Sequence, residues 1–224
     1  MVVVSGTHVA QLEDTVTEAT LDDRLTRRGT HRTVDRSDDI SVVEDTDTDT
    51  GAERSVARYA WAVARISTGF VFLWAFFDKL LALGYATGVD RETGAIDRFG
   101  DAAWINGGSP TTGFLSNVSG PFKGLFDGMA GAAWADWLFM AGLLAIGVAL
   151  MLGVGMRIAA ASGALLLVFM WMALLPLDNN PFMDDHLVYA TVLVGLAAVH
   201  AGDTLGFGRL WARTSLVRHH PTLR

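Results

Sequence analysis

WLFMAGLLAIGVALMLGVGMRIAAASGALLLVFMWMALLPL, residues 137–177, contains a single charged residue, Arg157. The apolar runs on either side of it, 137–155 and 158–177, hold no Asp, Glu, Lys or Arg at all. A hydrocarbon core of about 30 Å takes roughly 20 apolar residues of helix, so each run has the length of one membrane crossing. A helix half-sunk in a soluble core would be apolar along one stripe. These runs are apolar on every face. Gly142, Gly147, Ala159, Ala160 and Gly163 recur along them, and small residues let helix backbones approach closely in lipid. The stretch predicts two spans joined by a tight turn at Arg157.

Two further runs flank this hairpin. Residues 57–84 are mostly apolar and contain Arg65, Asp78 and Lys79, with Arg58 at their very start. Residues 185–202 form the shortest run, with His186 at its start, His200 near its end and Asp203 closing it. The expected fold is all-α, an integral membrane four-helix bundle over 54–211. An outer loop over 85–133 belongs to that domain, a disordered acidic tail over 1–53 precedes it, and a basic cytoplasmic tail over 212–224 follows. The tail over 1–53 carries 13 acidic residues against five arginines, whereas the remainder carries 11 acidic and 12 basic residues. The formal net charge of −7 therefore belongs to the tail, and low hydrophobicity with high charge predicts disorder there. No apolar signal-peptide segment follows residues 1–4. Arg24, Arg27, Arg28, Arg32 and Arg36 form a small basic cluster suited to anionic headgroups.

Lys and Arg near the ends of spans set sidedness. Arg54 and Arg58 precede the first run, Arg157 lies in the hairpin turn, and Arg209, Arg213 and Arg218 follow the fourth run. In an even-numbered bundle all of these fall on one side, and the turn over 178–184 has no basic residue. A multi-pass protein of the plasma membrane with both termini cytoplasmic is expected. The outer loop carries Arg91, Arg98 and Lys123, but long loops weigh less in this rule. Its turn formers mix with aromatics, and Trp104, Phe114, Phe122, Phe126, Trp134 and Trp137 suit a headgroup-level belt; the segment reads as a cap over the outer mouth with a short interfacial helix or, equally, as an ordinary aromatic-anchored loop.

The chain has no cysteine, which excludes a thiol nucleophile, a disulfide relay, iron–sulfur ligation and covalent haem attachment. It has no phosphate-binding glycine loop, no serine elbow and no nucleic-acid patch. Chemistry must then come from polar groups in the spans, where an unpaired charge is expensive. The topology sorts these into an outer layer of Asp78, Lys79, Asp136, Asp178, Asn179, Asn180, Asp184, Asp185 and His186, and an inner layer of Arg65, Arg157, His200 and Asp203. Arg65 and Lys79 are 14 residues apart, only about 40° around a helix, so both can face the interior; Asp78 points about 100° away from Lys79 and should serve a different neighbour. Arg65 needs a partner, and Asp203 is expected to form a structural ion pair with it.

At the outer mouth His186 and Tyr189 are spaced i, i+3, and Asp185 and Tyr189 i, i+4. An acid, an imidazole and a phenol can supply hydrogen bonds and protons to the two carbonyl oxygens of a quinone headgroup. Asp184 and Asp185 equally suit the first turn of a helix, where anions favour the dipole, so capping is an open alternative. A metal site from Asp184, Asp185 and His186 is disfavoured, because adjacent helical residues diverge by about 100°. His186 and His200 share a face, but haem ligation would need a second pair from a symmetric copy of the chain.

Three segments taken together, residues 65–79 (RISTGFVFLWAFFDK), 104–110 (WINGGSP) and 180–189 (NPFMDDHLVY), with the later AGDTLG at 201–206, resemble the DoxX/DoxD family of four-helix membrane proteins. The similarity covers about residues 57–211. It implies a quinone-linked redox role with a separate partner subunit, since the DoxD branch is the membrane subunit of a thiosulfate:quinone oxidoreductase. The resemblance carries no residue roles across. On placement alone, Lys79 attracts an anionic substrate or stabilises a quinol anion, His186 exchanges the proton, Asp185 orients or relays it, and Tyr189 donates to the quinone, with Asp78, Asn180 and Trp104 around the headgroup. The competing expectation is a non-enzymatic membrane scaffold that anchors a redox or stress-response partner, which the missing cysteine favours. A small-solute transporter is a weaker third, because four short spans leave little room for inverted repeats.

Overall fold

The computed structural model describes residues 38–90, 92–178 and 180–224, with side chains from Gly51 onward. Every regular element among these residues is helical, and an isolated bridge pairs Val89 with Ile96. The long elements are α1 (Asp38–Leu81), α4 (Ala133–Leu152), α5 (Met156–Leu174) and α6 (Asp185–Ala198). Between α1 and α4 lie α2 (Thr112–Leu115) and α3 (Lys123–Asp127); after α6 come α7 (Gly208–Ala212) and α8 (Ser215–His219). The span Gly51–Leu81 of α1, together with α4 and α5, is long and apolar enough to cross a membrane.

Two boundaries differ from expectation. Helix α1 starts at Asp38, inside the segment expected to be disordered, whose first part, with the basic cluster from Arg24 to Arg36, lies outside the described residues. Helix α6 stops at Ala198 rather than running on to 202, and its 14 residues rise only about 21 Å. The cause is His200, which takes a left-handed φ of 52° and turns the chain into a 3-10 turn at Ala201–Asp203. His200 is therefore off α6, and the shared face that would pair it with His186 does not exist.

The α4–α5 connection is as tight as the sequence predicts. Gly153 (φ 72°) closes α4 and Gly155 (φ 60°) opens α5, left-handed conformations that cost glycine nothing. Phe72 and Phe76 of α1, Met140, Leu143, Ile146 and Leu150 of α4, Ala159 and Leu167 of α5, and Leu193 and Leu196 of α6 are buried in one apolar cluster. Close approach depends on particular small residues. A methyl group on Gly147 would meet Leu73 Cγ at 2.7 Å, and one on Gly163 would meet Leu193 Cδ1 at 2.8 Å, whereas Gly142 faces open space.

The segment before α4 is a folded cap and not a single interfacial helix. It holds a 3-10 turn at Trp104–Asn106 as well as α2 and α3. Leu115, Val118 and Phe126 bury against Ala173 of α5 in a second apolar cluster. The residues after α6 are likewise packed. Trp211 Nε1 donates to the Leu223 carbonyl at 2.7 Å, and the Arg157 amide donates to the Arg224 carbonyl at 3.0 Å.

Candidate functional site

The end of the body where α1 stops and α6 starts gathers most of the polar residues singled out in the sequence. Asp184 precedes α6 in extended conformation and caps it: its Oδ1 accepts the Leu187 amide at 3.1 Å, satisfying a helix N–H that would otherwise lack a partner. Its Oδ2 lies 2.7 Å from His186 Nδ1. One carboxylate thus starts the helix and fixes the imidazole. A carboxylate on Nδ1 selects the tautomer that leaves Nε2 as the acceptor, or as a donor once the ring is protonated. Asp185, expected to be the partner of His186, is 81% exposed and 4.0 Å away; Asp184 takes that place because it sits outside the helix and can reach back over the first turn. The sequence signal was there, since a cap residue accepts from the amide three positions on. The ligand atoms of Asp184, Asp185 and His186 lie within 4.8 Å of one another. The divergence argument against their convergence therefore fails for Asp184, although both its oxygens are already engaged.

The other expected site residues each serve a different neighbour. Asp78, 1% exposed, accepts the amides of Tyr85, Ala86 and Thr87 at 3.2, 3.1 and 2.9 Å, and so folds the chain back where α1 ends. Lys79 is half-buried, with Nζ 5.9 Å from the centre of the Phe139 ring, a cation–π distance. Asp78 and Lys79 do serve different neighbours, as their 100° offset requires. Trp104 meets Trp137 edge-on at 4.7 Å and packs on the main core. Asn180 Oδ1 accepts the Phe182 and Met183 amides, both at 2.9 Å, which forms the turn leading to Asp184. Tyr189 is exposed. Among the described residues no hydrogen bond or ion pair joins His186 to Lys79 or to Tyr189.

Asp136, named in the outer layer but given no role, is a main organiser of this end. Buried at the start of α4, its Oδ1 accepts from Thr111 Oγ1 at 2.6 Å, Ser109 Oγ at 2.9 Å and the Thr111 amide at 3.1 Å. The sequence cue was the Ser-Pro-Thr turn, whose hydroxyls need an acceptor once buried.

At the opposite end the expected Arg65–Asp203 ion pair is absent. Arg65 is 0% exposed and donates to backbone carbonyls: Leu150 and Met151 of α4, the latter at 3.0 Å, then Thr204 at 3.3 Å and Leu205 at 2.8 Å. Asp203 pairs with Arg224 at 2.8 Å. The carbonyls at a helix C-terminus carry partial negative charge, and the two terminal nitrogens of the guanidinium fork suit them, while Nε is buried without a partner among the described residues. The end of α4 therefore supplies what an acid would have supplied.

No family model matches this chain, and neither a curated protein nor a solved structure matches it.

Proposed function

We propose that this chain is a DoxX-type membrane protein that crosses the bilayer four times and forms the quinone-facing subunit of a membrane oxidoreductase, with a separate redox subunit as partner. The observation that carries this reading is the 2.7 Å contact between His186 and Asp184, a proton-exchanging pair held rigidly at a helix start. Helix α6 supplies the fourth crossing. It is short, but non-helical backbone is tolerated at membrane depth where protein buries it, as it buries Ala201, Gly202 and Thr204 in the turn after α6. Lys and Arg placement puts both termini on the cytoplasmic side of the plasma membrane.

With thiosulfate as reductant, two thiosulfate anions give up one electron each and join through a new S–S bond. The quinone takes those two electrons and two protons and leaves as quinol. His186 passes a proton to a quinone oxygen and is recharged from water at the exposed cap. Asp184 holds the ring and balances its charge, Tyr189 donates a hydrogen bond, and Lys79 draws the anion. Membrane vesicles supplied with thiosulfate and a soluble quinone test this: wild type should turn over and His186→Ala should not. Equal rates in the two would remove His186 from the mechanism.

A second reading, a scaffold that anchors a redox or stress-response partner, is favoured by a different observation. Asp78, Asp136, Asn180 and Arg65 are all engaged with backbone groups, as residues that only build a cap would be. Absence of turnover in either protein, with a partner retained through purification, would select it.

A further inference from the structure

We infer that residues 205–218, after α6, form a headgroup-binding shelf that lies in the membrane interface and selects anionic phospholipid. Within this stretch Leu205, Phe207, Leu210 and Leu216 are 59%, 54%, 60% and 54% exposed, more apolar surface than a water-facing segment of that length normally shows. The exposure does not come from a frayed end. Val217 of the same stretch is buried, Trp211 is tied to the Leu223 carbonyl, and the Phe207 amide donates to the Leu152 carbonyl at 2.8 Å. One side of the segment is thus packed on the body and the other presents large apolar side chains. Arg209, Arg213 and Arg218 stand exposed among those side chains, and no acidic residue occurs from 204 to 224. The nearest one, Asp203, is paired with Arg224. Among the described residues none of these three guanidinium groups has an ion-pair partner.

Leucine and phenylalanine beside unpaired arginine, directly after an apolar helix, is the chemistry of an interfacial segment: the apolar groups enter the acyl boundary and the cations meet phosphate. The inference rests on the membrane crossing proposed above and is independent of any quinone chemistry. A water-facing surface would leave the apolar groups wet, and a protein partner would have to be strongly acidic to match.

The test uses the full chain reconstituted in phosphatidylcholine bilayers containing a minority of phosphatidylglycerol, with spin-labelled lipids reporting which headgroup is held at the protein. Wild type should hold phosphatidylglycerol several-fold over phosphatidylcholine, and the preference should weaken in high salt. Arg209→Gln with Arg213→Gln and Arg218→Gln should remove most of that several-fold preference and bring it toward parity. The matching triple Lys variant should keep it, which separates loss of charge from loss of fold. Parity in wild type, an unchanged preference in the Gln variant, or its loss in the Lys variant would each overturn the inference. Failure of the membrane crossing itself would appear differently, as protein that does not float with vesicles at all.

Discussion

Arg65 on α1 donates to the carbonyl oxygen of Leu205 at 2.8 Å, which joins the first long helix to the turn that follows the last one. The same guanidinium holds the end of α4. Glycines make room for it: a methyl group on Gly153 would lie 3.0 Å from Arg65 Nη1, and one on Gly206 would lie 3.1 Å from Nη2. One side chain thus ties three segments together, and the surrounding backbone is thinned to let it in.

Arg65→Leu should destabilise the protein in detergent by roughly 2–4 kcal/mol, because four carbonyls lose a donor and, among the described residues, only that of Leu150 keeps another, from the Gly153 amide. Arg65→Lys should recover little, since an ammonium cannot span the same fork of acceptors. Asp203→Asn should cost about 0–1 kcal/mol, the usual value of a partly exposed ion pair. Double-mutant cycles read by thermal melting should show Asp203 coupled to Arg224 and nearly uncoupled from Arg65. Strong coupling between Arg65 and Asp203 would contradict the observed hydrogen bonding.

Gly147→Ala and Gly142→Ala offer an internal control within α4. The first puts a methyl group 2.7 Å from Leu73 Cγ and 3.0 Å from the Leu73 amide nitrogen, while the second meets nothing within 4 Å. Gly147→Ala should lower stability by about 1–3 kcal/mol through overpacking. Gly142→Ala should be neutral or stabilising by up to about 1 kcal/mol, the gain of alanine over glycine in a helix. Equal melting temperatures for the two variants would show that α1 and α4 do not approach at Gly147.

These contrasts also mark how far the sequence was legible. The three long apolar helices follow directly from composition and spacing, and so does a tight turn between the last two, although it falls at Gly153–Gly155 and not at Arg157, which lies in the first turn of α5. Which glycines are crowded does not, because Gly142 and Gly147 look alike in the sequence and differ only in which face meets Leu73. The Arg65 partner was misread for a related reason. Sequence reasoning matches a cation to an acid, whereas the structure satisfies it with carbonyls, which every residue carries and no pattern reveals. The end of α6 was overrun because hydropathy stays high through Val199, and only the backbone turn at His200 ends the helix.

The turn held by Asp90 beside the Val89–Ile96 bridge should loosen in acid. Asp90 is held below the usual carboxylate range chiefly by the Thr93 amide at 3.1 Å and then by the Glu92 amide at 2.8 Å, with a further contribution from the Thr93 hydroxyl. A depressed carboxyl contributes stability in full above its unfolded value, and that contribution is lost as the pH falls through the folded value. Protection of the Glu92 and Thr93 amides, taken relative to the intrinsic exchange rate at each pH, should therefore hold above the ordinary carboxylate range near 4, fall only below it, and lose this pH response in Asp90→Ala. Protection that is lost already on going from neutral pH to pH 5 in wild type would contradict the assignment.

The last prediction separates enzyme from scaffold at Asp184, His186 and Asp185. Asp184→Asn keeps an acceptor for the Leu187 amide, so α6 should start as before at a cost of about 1 kcal/mol or less. It changes what faces His186 Nδ1, however: an amide does not balance an imidazolium as a carboxylate does, and the preferred tautomer is no longer fixed. If His186 exchanges protons with a quinone, Asp184→Asn should lower the maximal rate in vesicles by at least tenfold and shift its pH profile, with the quinone KM little changed, because proton transfer is a transition-state interaction. His186→Ala should remove the rate entirely and cost about 1 kcal/mol of stability for the lost hydrogen bond. Asp185→Asn, altering an exposed group 4.0 Å away, should leave rate and stability close to wild type. In a scaffold all three variants would retain the partner equally, and only Asp184→Ala, which removes the cap itself, would measurably weaken α6. A rate that falls with Asp185→Asn but not with Asp184→Asn would reverse the assignment and return the relay to the exposed carboxylate.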